Sequence, residues 1–520
     1  MIVLDEWNLG RHYTVKDDCY VETIVIDSDT FTLRPNSFSI YENRRNAYFM
    51  YDKPDVPTCS IVVTGYNRLD KTKYCVECIL KYTQDVNYEL ILVDNGSNDG
   101  TLEFFQSVHY PNKKIIHVTQ NRGTFLPFRY YINMFKGKYL VNISNDIYVT
   151  RNWLTNLLKC YQSDPKIGFV EPVSSNVSNL QEVNLGFSDL DDMQKKAAAF
   201  NQSDPTKWEE RMRLVSVINL FSRDVLDNVG INDAAYLYDF AEDDLCIRMR
   251  RMGYKLVLCR DTWICHDHDF RNMEDKDPDA YQASLESGRA VYREKYHGID
   301  PWDDIVNLEL TLLAPLDSAH LPESVKVLAV DVRCGSPVLE IRNRLKRRGI
   351  AKVISYAFTT DAKYFLDLQT VDAEVVCDRI DFIQQYYAND IFDVVVIGEP
   401  INTYPMPIRL LQNLYGFLKP GGMLLFKVRN TDNYRAFLRS IGLEVASDPD
   451  LPAGTPLHEV LECLKLFGAS ECTVSTNMED ISEADQKFLF DKLTAANPNA
   501  DQATLNRLCI RDYCVKAIRR

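Results

Sequence analysis

The sequence predicts an α/β protein built from two consecutive α/β domains. Apolar runs of strand length alternate with amphipathic stretches of helix length, the alternation occurs twice, and acidic residues follow several of the apolar runs. Such alternation is typical of a mostly parallel sheet with helices on both faces. At 520 residues the chain is also too long for one hydrophobic core, so we expect two domains plus extensions.

The pattern along the chain gives the expected boundaries. Residues 1–57 form short strand-like stretches and are interpreted as a β-rich N-terminal extension. The first α/β domain is expected over 58–300, with a strand at Ser60–Thr64, a helix over about 70–83 and a strand ending at Val93. Further strands are expected near 114–118 and 139–143, with a helix between them. A linker over 301–324 then leads to a second α/β domain over 325–520 with a mainly helical C-terminal tail from about 457.

Composition excludes several classes of protein. The formal net charge of -15 argues against non-specific nucleic-acid binding, which needs a clustered positive surface. No apolar run reaches the roughly 18 residues that cross a bilayer, and the first residues lack the order of a secretion signal. The 14 cysteines are scattered, as is typical of free thiols in a reducing compartment. We expect a cytoplasmic protein with no nucleic-acid partner and no transmembrane segment.

Two strand ends in the first domain carry candidate nucleotide-binding groups. Tyr66 follows the first strand, where an aromatic ring can stack on a base, and the preceding Gly65 lets backbone approach closely. Asp94 follows the second strand, and its carboxylate could accept the imide hydrogen of uracil or thymine. The alternative is turn chemistry, because Asn-Gly and Asp-Gly pairs follow Asp94 directly.

A candidate metal site follows a later strand. Ser144-Asn145-Asp146 has the spacing of a DxD motif with its first carboxylate replaced. Magnesium and manganese prefer oxygen ligands and keep phosphate oxygens in their shell, so one carboxylate can suffice if another ligand comes from elsewhere. His266 and His268 follow a further apolar strand, and one of them could complete the shell. The alternatives are a strand-ending turn and two satisfied polar histidines.

Three adjacent carboxylates, Glu242, Asp243 and Asp244, begin a predicted helix. Acidic charge at the positive end of a helix is stabilising by itself. Crowded carboxylates also repel one another, which can raise the pKa of one of them and keep it available as a proton acceptor. The cluster is therefore a candidate general base.

The order and spacing of these segments resemble the inverting GT-A glycosyltransferases of glycosyltransferase family 2 over roughly residues 58–300. Further segments that carry the resemblance are Asn121-Arg122-Gly123, Asn152-Trp153-Leu154 and Gly253-Tyr254-Lys255. The resemblance implies a GT-A (Rossmann-like) fold, a metal ion on Asp146 with His266 and His268, and a base at Asp243 or its neighbours Glu242 and Asp244. It implies donor binding by Thr64, Tyr66, Asn67, Arg68, Asp94, Asn121, Gly123, Arg129, Ser144 and Asn145.

The implied activity is that of a hexosyltransferase-type enzyme, which moves a sugar from a nucleotide-diphosphate sugar to an acceptor hydroxyl with inversion. A UDP-sugar is the expected donor, with dTDP- and GDP-sugars as alternatives, and Mn²⁺ or Mg²⁺ is the expected cofactor. The acceptor would be a glycan, a lipid-linked molecule or a protein, in bacterial-type surface glycan assembly or protein glycosylation. Two alternatives stay open: a bifunctional glycosyltransferase and methyltransferase, and a non-catalytic scaffold built on two nucleotide-binding folds.

The second domain resembles S-adenosylmethionine (SAM)-dependent methyltransferases over about 325–430, through Val327–Pro337 and Leu418–Leu425. Arg333 and Pro337 occupy two positions at which that family has glycines that let the backbone close on the cofactor. The acidic residue expected after the second strand is absent from Tyr356-Ala357-Phe358. We therefore expect a non-catalytic, methyltransferase-like module that does not bind SAM, with a role in acceptor docking or in forming a homodimer through this domain.

Overall fold

The alternating apolar and amphipathic stretches fold into two α/β units. The computed structural model describes residues 10–16, 19–26, 56–121, 135–230, 232–233, 236, 239–268, 277–443 and 454–520. The first unit is Met1–Pro301 and the second is Trp302–Arg520. Within the described residues, no helix is both long enough and apolar enough to cross a membrane.

The first unit is built on one mixed sheet. Its described strands are β1 (Gly10–Lys16), β2 (Cys19–Ile26), β3 (Cys59–Gly65), β4 (Tyr88–Asn95), β5 (Lys113–Val118), β6 (Tyr139–Ser144), β7 (Ile147–Tyr148), β8 (Ile167–Ser174), β9 (Trp208–Arg211), β10 (Ile218–Ser222) and β11 (Lys255–His266). Its described helices are α1 (Leu69–Tyr82), α2 (Thr101–Ser107), α3 (Trp153–Gln162), α4 (Leu190–Phe200), α5 (Arg223–Val229), α6 (Ala241–Arg251) and α7 (Pro278–Lys295).

Strand order brings the carboxyl ends of five strands to one edge of this sheet. The order is β1-β2-β5-β4-β3-β6-β10-β8-β11-β7, with β9 paired to β11. Strands β2, β5, β4, β3 and β6 pair in parallel. The chain runs outward from β3 through β4 and β5, then returns to the other side of β3 as β6. This reversal beside β3 is a topological switch point, where open α/β sheets bind ligands beyond the carboxyl ends of their strands.

The central strands are apolar because both faces of the sheet are covered. Every residue of β4 and all but one of β3 are buried, as is typical of parallel strands between two helix layers. The N-terminal extension contributes β1 and β2, and β2 joins the sheet by parallel pairing with β5. The helix expected between β5 and β6 falls largely in 122–134, outside the described residues.

The second unit holds a separate seven-stranded sheet within the described residues. Its strands are β12 (Ser324–Val330), β13 (Lys352–Thr359), β14 (Ala373–Cys377), β15 (Phe392–Ile397), β16 (Leu418–Arg429), β17 (Ala469–Met478) and β18 (Ile510–Arg519). Its helices are α8 (Leu310–Leu313), α9 (Ser336–Arg347), α10 (Phe365–Gln369), α11 (Ile383–Tyr386), α12 (Pro407–Phe417), α13 (Tyr434–Ser440), α14 (Leu457–Leu466), α15 (Glu483–Ala496) and α16 (Gln502–Leu508).

The second sheet has the order β14-β13-β12-β15-β16-β18-β17. Its first five strands reproduce the 3-2-1-4-5 order of a doubly wound Rossmann-like sheet, and β18 is antiparallel to β16. The predicted fold class, a GT-A domain followed by a methyltransferase-type domain, agrees with the two sheets. The tail differs from its expected helical character, because it also contains β17 and β18. Most side chains of β17 are exposed, so this strand lacks the apolar run by which a strand is found from sequence.

Candidate functional site

The switch point joins the loops that follow β3 and β6. Thr64 lies opposite Ser144 in the parallel pairing of these strands, and Ser144 is exposed beyond it. The buried Asn145 amide donates to the carbonyl oxygen of Asn67 at 2.9 Å and to Oγ1 of Thr72 at 2.8 Å. Asn145 therefore ties the two loops together, while the exposed Ser144 lies at the mouth of the crevice.

Asp146, His266 and His268 form one cluster beside this crevice. Their candidate ligand atoms all lie within 4.8 Å of one another. Nδ1 of His268 is 3.2 Å from Oδ2 of Asp146, and Nε2 of His266 is 4.0 Å from Oδ1. Oδ1 of Asp146 is buried and accepts no hydrogen bond within the described structure. A buried carboxylate oxygen without a hydrogen-bond partner, facing two imidazoles, fits a divalent cation.

The electrostatics of the cluster suit metal ligands. Burial by itself would raise the pKa of Asp146, but the hydrogen bond with His268 and the positive charge of Arg68 help to lower it overall. Burial lowers the pKa of His266. An ionised carboxylate and a neutral imidazole are the forms that bind a metal ion.

Backbone and side-chain contacts orient the two histidines. Nδ1 of His266 lies 3.1 Å from the carbonyl oxygen of Asn176 and must carry the hydrogen that this oxygen accepts. Nε2 of His266 is then left to face Asp146, as expected when the far ring nitrogen of a metal-bound histidine is hydrogen-bonded. Asp267, between the histidines, accepts from the Tyr148 hydroxyl at 2.7 Å and pairs with the Lys71 ammonium at 3.0 Å.

Arg68 brings a positive charge to the same carboxylate. Its Nη1 lies 3.4 Å from Oδ2 of Asp146, and its side chain is 43% exposed. Arg68 directly precedes α1, and both Arg68 and Asn67 have a left-handed backbone conformation. Asn67 is fixed by the loop after β4, because Asn67 N–H donates to Ser97 Oγ and Asn98 N–H donates to Asn67 Oδ1. The guanidinium is therefore placed where it can reach a ligand bound at the cluster of Asp146, His266 and His268.

Asp94 lies at the carboxyl end of β4 and is fully buried. Its Oδ1 accepts the Ser97 N–H at 3.0 Å, and its Oδ2 lies 2.6 Å from Nδ1 of His117 on β5. Gly96 follows with φ 77, and a Cβ there would lie 2.6 Å from the Asn121 nitrogen. The turn after β4 therefore packs closely against the loop after β5, and this close approach requires glycine.

Two other predicted donor-binding residues lie near this turn. Tyr66, just past β3, is 46% exposed, and an exposed aromatic ring can stack on a base. Asn121 is exposed, and its Oδ1 accepts a hydrogen bond from the Asn95 amide at 3.2 Å. The remaining two, Gly123 and Arg129, lie outside the described residues.

The three carboxylates at the start of α6 have different surroundings. Asp243 is buried against Arg213, with 2.5 Å between Oδ1 and Nε. Asp244 is also buried and binds Arg248, Lys295 and the Tyr296 hydroxyl. Glu242 is half-buried. Burial, and then the charge of Asp243, raises the pKa of Glu242 to about 7.

Sequence reasoning missed two residues at the site, His117 and Arg213. His117 is a lone polar residue near the carboxyl end of an apolar strand, a signal that could have been noticed. Arg213 lies outside any recognisable pattern, and its pairing with Asp243, 30 positions away, depends on how the segment after β9 folds against α6.

Comparison with known proteins gives the family. Residues 60–227 match the model of glycosyl transferase family 2. The glycosyltransferase AglE of Haloferax volcanii is 25% identical over 218 residues, which are 41% of this chain and 67% of that protein. Two other curated relatives, an uncharacterized protein of Sinorhizobium fredii and the hyaluronan synthase of Pasteurella multocida, are matched over 23% and 13% of their own lengths at 26% and 27% identity.

Solved structures of two kinds are similar to parts of the chain. The mannosyltransferase PcManGT of Pyrobaculum calidifontis, in complex with GDP-Man and Mn²⁺, is 19% identical with a TM-score of 0.36, covering 54% of this chain and 79% of that one. A SAM-dependent methyltransferase of Archaeoglobus fulgidus is 16% identical with a TM-score of 0.30, covering 44% and 99%. The family match and the curated relatives agree: over residues 60–227 this chain is similar to glycosyl transferase family 2, a family of transferase enzymes.

Proposed function

We propose that the first unit transfers a sugar from a nucleotide-diphosphate sugar to an acceptor hydroxyl, with inversion at the anomeric carbon. The observation that carries the proposal is the cluster of Asp146, His266 and His268 beside the switch point, in a domain that matches glycosyl transferase family 2. A divalent cation, Mn²⁺ or Mg²⁺, would be held by these three residues and would stabilise charge on the departing diphosphate.

The side chains around the cluster have distinct roles in this proposal. Tyr66 stacks on the nucleobase, and Arg68 moves from Asp146 to the donor diphosphate. Asn145 holds the Asn67 carbonyl and so keeps the loop that carries Tyr66 and Arg68 in place. These contacts position the anomeric carbon for attack, which lowers the entropic part of the barrier.

Glu242 is proposed as the general base. It takes the proton of the acceptor hydroxyl while the oxygen attacks the anomeric carbon, and the bond between that carbon and the diphosphate breaks with its electron pair leaving on phosphate oxygen. Asp243 and Asp244 are bound in ion pairs with arginine and lysine side chains. Glu242 has a pKa raised to about 7, and a base with a pKa near the working pH is the most effective.

The acceptor is proposed to be a glycan, a lipid-linked molecule or a protein, and a UDP-sugar is the proposed donor, with dTDP- and GDP-sugars tested beside it.

The second unit is proposed as a non-catalytic module. In its first strand-to-helix loop, Arg333 Nε binds Glu399 at 3.0 Å and Nη1 binds the Asp303 carbonyl at 2.7 Å. The guanidinium and its partners occupy the loop at which a Rossmann-like fold takes its nucleotide.

The proposed function is tested by donor hydrolysis and transfer with Asp146→Ala. UDP-, dTDP- and GDP-sugars are supplied with Mn²⁺ or Mg²⁺, and released nucleoside diphosphate is measured. We expect Asp146→Ala to lower the rate about 10²- to 10³-fold, the size of effect seen when one group that stabilises transition-state charge is removed. Asp191→Ala, at an exposed position on α4, is the matched control and should match wild type. A wild-type protein that binds and hydrolyses none of these donors would contradict the proposal.

A further inference from the structure

Asp94 and His117 form a buried pair at the edge of the sheet that carries the proposed donor site. They lie directly opposite each other on the parallel strands β4 and β5, so both side chains point to the same face. The Asp94 side chain is 0% exposed, whereas the His117 side chain is 23% exposed. The histidine is therefore the member of the pair that reaches the surface.

The contacts of Asp94 determine which nitrogen of His117 carries hydrogen. An ionised carboxylate can only accept hydrogen bonds, and Oδ2 of Asp94 lies 2.6 Å from Nδ1 of His117. Nδ1 must therefore donate. In a neutral imidazole the other nitrogen, Nε2, is then an acceptor. Asp94 also receives the Ser97 N–H, so the carboxylate that orients the ring is itself held from two sides.

The pair lies next to the loop that carries the exposed Tyr66. In the sheet, Gly65 is opposite Asp94, and Asp94 is opposite His117, so the three positions form one row at the carboxyl ends of β3, β4 and β5. Asn67 N–H donates to Ser97 Oγ at 2.9 Å, which ties the Tyr66 loop to the turn after β4. The loop that carries Tyr66 therefore adjoins this row of residues.

We propose that His117 Nε2 reads the nucleobase of the donor, with Asp94 as the residue that positions it. This inference rests on the proposed function and deepens it by naming the residue that distinguishes the bases. Because Nε2 of His117 accepts a hydrogen bond, it selects bases that present an N–H group on their pairing edge. These bases are uracil, thymine and guanine. Cytosine and adenine present an unprotonated ring nitrogen there and are rejected.

Asp94→Asn gives the sharpest test, because it changes hydrogen-bond direction without changing shape. The Asn oxygen still accepts from Ser97, but its Nδ2 now donates to His117 Nδ1 and moves the ring hydrogen to Nε2. Dissociation constants are measured with Mn²⁺ for UDP against CDP and for GDP against ADP. Wild type should bind UDP more tightly than CDP, or GDP more tightly than ADP. Asp94→Asn should shift the ratio of the two dissociation constants toward CDP or ADP by about tenfold or more.

His117→Ala and inorganic pyrophosphate complete the experiment. The alanine variant should weaken binding of the preferred nucleoside diphosphate and leave pyrophosphate binding unchanged. The inference is overturned if Asp94→Asn keeps the wild-type base ratio, or if either variant weakens pyrophosphate and nucleotide equally. A wild-type protein that binds no nucleotide more tightly than pyrophosphate would overturn the proposed function as well.

Discussion

At the scale of single residues, identical carboxylates at the start of α6 acquire different chemistry from their neighbours. Arg213 holds Asp243 in a buried ion pair, and breaking such a pair leaves an uncompensated buried charge, at a cost of about 3–5 kcal/mol. Asp244 joins α6 to α7 through Lys295 and lies beside the Tyr296 hydroxyl. These two residues have structural partners in ion pairs. Burial raises the pKa of Asp243 as well, but Glu242 is half-buried and its pKa reaches about 7.

The transfer rate should therefore depend on Glu242 and on pH. Glu242 is protonated below about pH 7, so the transfer rate should rise as pH increases through that value. Glu242→Gln should lower the transfer rate about 10²- to 10⁴-fold and abolish its rise with pH. Glu103→Gln, at an exposed position on α2, should keep the wild-type profile. If the transfer rate of Glu242→Gln still rises with pH as in wild type, Glu242 is excluded as the base.

The same raised pKa affects stability, with a definite sign. Between the ordinary glutamate value of 4.5 and about 7, the folded chain retains a proton that the unfolded chain has released. The contribution of Glu242 to stability therefore falls as pH rises through this window. Glu242→Gln removes that loss, so its melting temperature should exceed that of wild type at pH 8 and approach it at pH 4.

At the scale of elements, the end of β11 and the residues directly after it place both histidines of the cluster. Asp267 N–H donates to the Asp146 carbonyl at 2.9 Å. The Asp267 carboxylate is held by Tyr148 and Lys71, so β7 and α1 both fix the backbone between His266 and His268. Groups that orient metal ligands typically contribute 10- to 100-fold in metal affinity.

Asp267→Asn should therefore weaken Mn²⁺ binding by about 10- to 100-fold, although Asp267 is not itself among the three clustered residues. Titration calorimetry with Mn²⁺ on the full chain measures the effect. Asp164→Asn is the matched control, because Asp164 pairs with Lys255 at 2.9 Å and lies outside the cluster. Equal Mn²⁺ affinities for the two variants would show that the segment is placed without Asp267.

At the scale of the whole molecule, the two units have related sheets and different loops. In the first unit the loops after β3 and β6 lie beside a buried carboxylate oxygen without a hydrogen-bond partner. In the second unit, Asp331 and Arg333 after β12 have positive φ although neither is glycine. Asp331 is satisfied internally, because its carboxylate accepts from Thr360 N–H and from the Tyr404 hydroxyl, both at 2.6 Å.

The full chain should therefore show no thermal stabilisation by SAM. A ligand that binds only the folded state stabilises it by about 2.7 kcal/mol at 100 times its dissociation constant. The melting temperature is measured with and without 1 mM SAM, with UDP and Mn²⁺ as the positive control for the first unit. A SAM-dependent rise would support the bifunctional alternative, and loss of that rise in Arg333→Ala would locate the site.

Local patterns in the chain were enough to identify the two α/β units and the strand ends that carry polar groups. Apolar runs and amphipathic spacing report whether a segment is covered on one face or both, which is a property of neighbouring residues. Asp94, Asp146 and the carboxylates of α6 were selected from these patterns. The roles proposed for Asn121, Gly123 and Arg129 stay predictions from the family resemblance, as do the domain boundaries.

The folded arrangement alone decided which polar groups face one another. Asp94 is paired with His117, 23 positions away, and Asp243 with Arg213, because the order of the strands and helices brings these residues together. The side chains that meet at the carboxyl ends belong to strands separated by whole helices, so local periodicity carries no information about their partners. A carboxylate's availability as a base or a metal ligand depends on those partners, and its identity in the sequence does not determine it.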